Sequence, residues 1–255
     1  MIYRKSPEEL GLMREGGRIL GGALDALQDM IVPGVTTKEL DARFEAIALE
    51  AGGTPSFKGY RGFPASICAS PNEVIVHGIP VSTPLDEGDI VTIDVGLFYK
   101  GFHTDTAWTF PVGRVGPEVA KLLEVTEASL EAAIEQCHPG NRVGDIGYAV
   151  EQVVTPAGFS LVQEYAGHGV GRSLHEEPWV PNYGPPGRRE KLVEGMTLAI
   201  EPMVNLGGAA TKTLEDDWTV VTRDGSLSAH FEHTVAITSE GPEVLTLRSR
   251  VRSAA

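Results

Sequence analysis

The stretch IVTIDVGLFYKGFHTDTAWTF, residues 90–110, decides how the chain folds. Val91, Ile93, Val95 and Leu97 alternate around Asp94, Tyr99-Lys100-Gly101 supplies a turn, and a second β-prone run carries Asp105 onward through Trp108 to Phe110. Such alternation on both sides of turn residues predicts a β-hairpin. With Tyr99 and Lys100 as a two-residue loop, Asp94 stands directly opposite Asp105 on one face, because side chains alternate along a strand. A three-residue loop flips the parity and turns one aspartate towards solvent. Two carboxylates brought together in an apolar strand pair repel unless they share a proton or hold a cation, and a metal is the economical answer.

Upstream of the hairpin, Ser6-Pro7-Glu8-Glu9 has the pattern of a helix start, with Ser6 as cap, Pro7 at the first turn and Glu9 completing a capping box. Leu10, Met13, Leu20, Leu24, Leu27 and Ile31 follow at helical spacing until Pro33-Gly34. Thr36 and Glu39 repeat the capping pattern ahead of Leu40, Phe44 and Ile47, and Gly52-Gly53 ends that run. From Thr54 to Pro84 the chain is punctuated by Gly and Pro, which predicts loops and short strands, with Val74 to Val76 one of them.

Downstream, Gly116-Pro117 opens a third helix, with Leu122, Leu123, Leu130 and Ile134 inward, before His138-Pro139-Gly140. Here the chain repeats itself. At an offset of 106 residues Pro33-Gly34 falls on Pro139-Gly140, Leu40 on Ile146, Phe44 on Val150 and Gly52 on Gly158. One residue further, Glu87-Gly88 through Asp94 matches Glu194-Gly195 through Glu201, so an acid closes both apolar strands. Two similar α+β halves packed face to face would bring Asp94 and Glu201 together.

The second half holds further reactive groups. Gly167-His168-Gly169-Val170-Gly171 and His175 lie in a glycine-rich segment where backbone can approach a ligand. Ser228 to Ile237 reads as one strand carrying Glu232, and Trp218-Thr219-Val220-Val221 as its neighbour in a buried sheet. Asp94, Asp105, His168, Glu201 and Glu232 together make an oxygen-rich set that two divalent cations would balance. Cations about 3.5–4 Å apart acidify a shared water, so the chemistry implied is metal-assisted hydrolysis. His103, His138 and His233 are read as structural or exposed, because none is needed to complete the set.

At a net charge of -14 the chain has no excess of Lys and Arg to neutralise phosphates, which argues against a nucleic-acid partner. Neither an apolar export segment nor a membrane-spanning run is present, so a cytoplasmic location without a membrane partner is expected. Cys68 and Cys137 form neither a disulfide framework nor a zinc knuckle, which leaves at most one disulfide. Arg188-Arg189-Glu190-Lys191 reads as a solvated loop.

From Ser6 to about Arg248 the chain resembles the methionine aminopeptidases of peptidase family M24, in their short bacterial type I form. The motifs that carry the resemblance are Ile93-Asp94-Val95, Gly101 to Thr106, Gly167 to Gly171, Ile200-Glu201-Pro202-Met203-Val204 and Phe231-Glu232-His233-Thr234. It implies the pita-bread α+β fold around a curved antiparallel sheet. Residues 1–255 would form a single catalytic domain with pseudo-symmetric halves at about 6–112 and 113–248.

The resemblance also implies two divalent metal ions, Co, Mn, Fe or Zn. Asp94 would hold one, His168 and Glu201 the other, and Asp105 and Glu232 would bridge them. Glu201 would move the proton, His175 would bond the scissile carbonyl oxygen and His77 the departing nitrogen. A methionine pocket would fall on Tyr60, Phe63, Cys68, His77 and Trp218. Three residues depart from the family pattern: Leu174 where an aromatic is common, Gly96 where threonine is common and His230 where glutamine is common.

The activity so implied is removal of the N-terminal methionine from nascent proteins and peptides with a small second residue. A monomer is expected, and ribosome association stays open. Two alternatives remain at this point, an Xaa-Pro aminopeptidase or prolidase on the same fold, and a non-catalytic relative that only binds peptides or the ribosome.

Overall fold

Both expected capping boxes form. The Ser6 hydroxyl accepts from Glu9 N–H while the Glu9 carboxylate accepts from Ser6 N–H, and α1 runs over Pro7–Gln28. Thr36 and Glu39 do the same for α2, Thr37–Glu50. Each reciprocal pair satisfies two backbone donors that a helix start leaves unpaired. After the hairpin come α3 (Pro117–Ile134) and α4 (Val143–Val154). Leu24, Leu40, Phe44, Leu122, Ile146 and Val150 face inward from the four helices into one buried core. The computed structural model describes residues 2–249; residue 1 and residues 250–255, the edges of the expected domain, lie outside the described residues. None of the helices described is long and apolar enough to cross a membrane. Both cysteines are free and buried.

The hairpin pairs Ile90–Tyr99 with Phe102–Pro111, but in a different register from the one expected. The loop residues are Lys100 and Gly101, at φ 47° and 91°. Two positive φ values fit the primed turn that matches strand twist, and Gly101 supplies one of them without strain. Asp94 therefore faces Ala107 and Asp105 faces Gly96. The two aspartates still share a face, as diagonal neighbours rather than as a directly opposed pair. On its other side the Asp94 strand pairs with Ile67–Pro71, which sets Cys68 across from Asp94.

Hydrogen bonds recur at the spacing of the sequence repeat. Gly34 N–H donates to Leu85 O and Leu85 N–H to Val35 O, while Gly140 N–H donates to Leu192 O and Leu192 N–H to Asn141 O. Thr36 bridges to Pro84 as Arg142 bridges to Lys191. In the second of these arrangements Thr197–Ile200 lies between Gly167–Gly169 and His233–Thr238 in a five-stranded sheet.

The hairpin sheet meets the segment from His230 to Thr234 along a short seam. Glu232 N–H donates to Ala107 O (2.8 Å), and Ala107 N–H donates to Glu232 O (3.4 Å). On one side of that pair, Thr234 Oγ1 accepts from Asp105 N–H (2.9 Å) and donates to Asp105 O (2.8 Å). On the other, Thr109 Oγ1 accepts from His230 N–H (2.9 Å) and donates to His230 O (2.8 Å). With Thr106 Oγ1 donating to Glu232 O (2.7 Å), three buried hydroxyls close the seam, those of Thr234 and Thr109 standing in for the ladder bonds a continuous sheet would make.

Two expectations are corrected here. The run from Ser228 to Ile237 is not one strand: Ser228–His230 pairs with Met203–Asn205, and His233–Thr238 pairs with Thr197–Ile200. Phe231 and Glu232 sit at the break, across from Glu201 and Pro202, where both segments pass from one sheet to the next. Pro202 has no N–H to continue a ladder, which favours the break at that point. Nor does the segment after Trp218 lie beside Glu232. Val220–Thr222 pairs instead with Val74–Val76 and Thr211–Thr213 in a separate sheet.

Candidate metal centre

Five side chains converge at the foot of the cavity between the sheets. Asp94 and Asp105 come from the hairpin, His168 from Gly167–Gly169, and Glu201 and Glu232 from the two breaks just described. Asp105, His168 and Glu232 each offer a ligand atom within 4.8 Å of the others, and all three are buried. His168 Nε2 lies 3.6 Å from Glu201 Oε1. Asp94 lines the same cavity and completes the expected set.

The donor chemistry fits a cation. The His168 Nδ1 atom is 2.8 Å from Gly169 O, and because a carbonyl only accepts, Nδ1 carries the hydrogen and Nε2 presents its lone pair. Burial pushes the imidazole down to about 3, so it is neutral. A lone pair facing a carboxylate oxygen has nothing to bond unless a cation or proton lies between. Asp94 Oδ1 and Glu232 Oε1 are buried with no hydrogen-bond partner among the described residues. Each such orphan costs roughly 1–3 kcal/mol, more if charged. Burial, and then the neighbouring acids, hold Asp94, Glu201 and Glu232 well above the ordinary carboxylate range. Burial takes Asp105 up to about 7. Groups that resist ionisation alone would ionise around divalent cations.

The whole cavity, acids included, measures about 160 Å³, and above the acids it is lined by Tyr60, Phe63, Cys68, His77, Leu174 and Trp218. Phe63 meets the edge of Trp218 at 5.1 Å, and Cys68 lies under them with its thiol pushed up by burial and the Asp94 charge. The aromatic rings and the thiol give the upper part an apolar, polarisable surface. His175 stands exposed at the mouth, 4.2 Å from the His168 ring, with Nδ1 2.9 Å from the Tyr60 hydroxyl. His77 lies on the opposite wall at φ 61°, edge-on to Trp218. Of the histidines read as structural, His103 bonds Ser56, His233 bonds Thr246 and His138 is exposed.

Sequence reasoning does not place Phe57, Arg61 and Val76 in the lining, where the structure has them together with His230, one of the expected pocket departures. Phe57 carries a readable sign. A Cβ on Gly96 would lie 2.8 Å from Phe57 Cε1 and 2.8 Å from Ser56 Cβ, so the missing side chain at Gly96 makes room for the ring. His230 is visible only as a departure from a pattern; its direction into the cavity depends on the break at Phe231.

A buried cluster of acids and one imidazole under an apolar pocket, held between paired sheets, defines a metal-dependent hydrolase. The pattern of metallopeptidase family M24 matches residues 11–239, and the chain belongs to that family. Its fold is the pita-bread fold. The chain is 52% identical over 246 residues to methionine aminopeptidase 1 of Bacillus subtilis, covering 96% of this chain and 99% of that one. It is 44% identical over 249 residues to the methionine aminopeptidase of Escherichia coli, covering 97% and 94%. Among solved structures, methionine aminopeptidase from Thermotoga maritima superposes with a TM-score of 0.96 at 44% identity, over 97% of this chain and 100% of that one. A prolidase from Pyrococcus furiosus shares the fold at a TM-score of 0.79 and 23% identity, with 97% of this chain and 66% of that one covered.

Proposed function

We propose that the chain removes the N-terminal methionine from nascent proteins and peptides, preferring a small second residue. The observation that carries this reading is the placing of the five donors in one cavity with the apolar, polarisable lining of Phe63, Cys68 and Trp218, which suits a thioether side chain. Residues 6–112 and 113–248 act as the two halves of one catalytic domain. Two divalent cations, Mn, Co, Fe or Zn, would be held there by Asp94, Asp105, His168, Glu201 and Glu232. When bound they supply an activated water and polarise the first peptide carbonyl.

The chain's own groups do the rest. Glu201 takes the proton of the attacking water and delivers it to the leaving nitrogen. His175 donates to the carbonyl oxygen, oriented by its bond to Tyr60. His77 faces the leaving nitrogen. Tyr60, Phe63, Cys68, His77 and Trp218 hold the methionine. The enzyme works in the cytoplasm as a monomer on chains that have just emerged in synthesis.

Hydrolysis of a Met-Ala peptide with Mn or Co added back to stripped protein, in the parent and in Glu201→Gln, tests the proposal. The parent should recover turnover and the variant should lose at least about a hundredfold. Faster turnover of Xaa-Pro peptides would instead favour the prolidase reading. Inactivity of the parent with every metal would leave a peptide-binding relative.

A further inference from the structure

His230 has no role in the scheme above, yet it occupies a place in the fold equivalent to that of Asp105. The Ala107–Glu232 backbone pair lies between them, Thr234 clamps the Asp105 backbone, and Thr109 clamps the His230 backbone with the same two bonds. Both residues are buried, and both side chains line the same cavity.

A neutral imidazole has one N–H and one lone pair to satisfy. His230 is 2% exposed, and neither ring nitrogen has a hydrogen-bond partner among the described residues. Its Nε2 lies 3.8 Å from Glu201 Oε2. The two oxygens of Glu201 therefore face different rings, Oε1 towards His168 and Oε2 towards His230. Those rings are not alike. His168 has its hydrogen on Nδ1, committed to Gly169 O, so its Nε2 is an acceptor. No carbonyl holds Nδ1 of His230 among the described residues, which leaves Nε2 free to carry the hydrogen. A shift of roughly 1 Å brings Nε2–H and Oε2 to hydrogen-bond length.

We propose that His230 is a positioning residue for Glu201: its Nε2–H donates to Oε2 and so turns Oε1 towards His168. This rests on the reading of Glu201 as a ligand and proton carrier. One oxygen is then reserved for the cation side of the centre, and the carboxylate is held in a single orientation. A ring turned this way contributes no ligand atom of its own.

The test compares His230→Leu, which removes the donor, with His230→Gln, which returns an N–H at similar reach. Mn binding to stripped protein is measured by calorimetry, Met-Ala turnover by steady-state kinetics, and folding by thermal melting. His230→Leu is expected to lose 10–100-fold in Mn affinity at the site held by His168 and Glu201 and in kcat, the usual range for a group that orients a metal ligand, with KM little changed. His230→Gln should restore both to within about threefold. Leu and Gln variants that match the parent, or that fall equally, overturn the proposal, since the hydrogen bond would then contribute nothing. Electron spin-echo spectra of the Mn-loaded parent should show one coordinated imidazole; two would make His230 a ligand and also overturn it. If the parent binds Mn but cleaves nothing, the functional reading fails while the affinity comparison still decides the role of His230.

Discussion

Asp94 and Asp105 are diagonal neighbours across the central hairpin, Asp94 opposite Ala107 and Asp105 opposite Gly96. Both are buried beside Glu232, so the stripped centre holds protons that the unfolded chain would release. Burial moves the Asp105 carboxyl from 3.8 to about 7. A folded-state pKa raised in this way adds stability that is complete below 3.8 and disappears as pH rises through about 7. Neutral buried His168 and His230, both lowered to about 3 by burial, act in the opposite sense: their contribution is present above 6.5 and lost as pH falls. Comparison with Asp105→Asn separates the two effects. Between pH 5 and pH 8 the melting temperature of stripped parent should fall relative to that of Asp105→Asn. Added Mn should raise the parent's melting temperature more at pH 8 than at pH 5, because protons compete with it at the lower pH.

The Tyr60 hydroxyl holds His175 Nδ1 at 2.9 Å, and the rings stack at 5.3 Å. Tyr60→Phe keeps the stack and removes the bond. Loss of about 1 kcal/mol of orientation should lower kcat roughly fivefold. His175→Ala removes the donor itself and should lower kcat by about 10²–10³. Equal effects of the two changes would mean that Tyr60, not His175, makes the contact to substrate.

Lys5 forms a buried ion pair with Glu176, Nζ to Oε2 at 2.7 Å, with the Lys5 side chain 1% exposed. Glu176 also accepts from Ser173 N–H and is next in the chain to His175. Lys5→Met keeps the packing of the stem and leaves the carboxylate uncompensated. Breaking such a pair costs about 3–5 kcal/mol, and because Glu176 keeps the Ser173 bond the loss in urea unfolding should lie near the lower figure. kcat should fall with it, through displacement of His175. Unchanged stability would show that the pair gains nothing over its separate hydration.

Gly96→Thr would press a Cβ against Phe57 and Ser56, each 2.8 Å away. Overpacking of this kind costs about 1–3 kcal/mol. Phe57→Ala combined with Gly96→Thr should return part of the loss, and a double-mutant cycle measures the coupling. Additive effects would mean that the two positions are independent.

Much of this arrangement can be read from the chain. The caps at Ser6 and Thr36, the repeated Pro-Gly turns and the acid closing two apolar strands are local patterns, and local geometry forms them. The turn lies one residue later than expected, which moves the partner of Asp94 by two residues, because the positive φ at Lys100 and Gly101 outweighs the general turn preference of Tyr99. Gly101 is the clue. Long-range pairing leaves less trace. Nothing near Trp218 announces that Val220 will join Val76, and the break at Phe231 depends on Pro202, which lies across the sheet. The same break aims His230 at Glu201, so a residue's type is legible while its direction is not.

The paired threonine clamps make each side of the molecule custodian of a group belonging to the other: Thr234 secures Asp105, and Thr109 secures His230. A chain cut between the hairpin and α3 would yield two fragments, each lacking the brace for its own contribution. Only recombination of the pair would recreate a grip on the ion, and ion retention would then report reassembly.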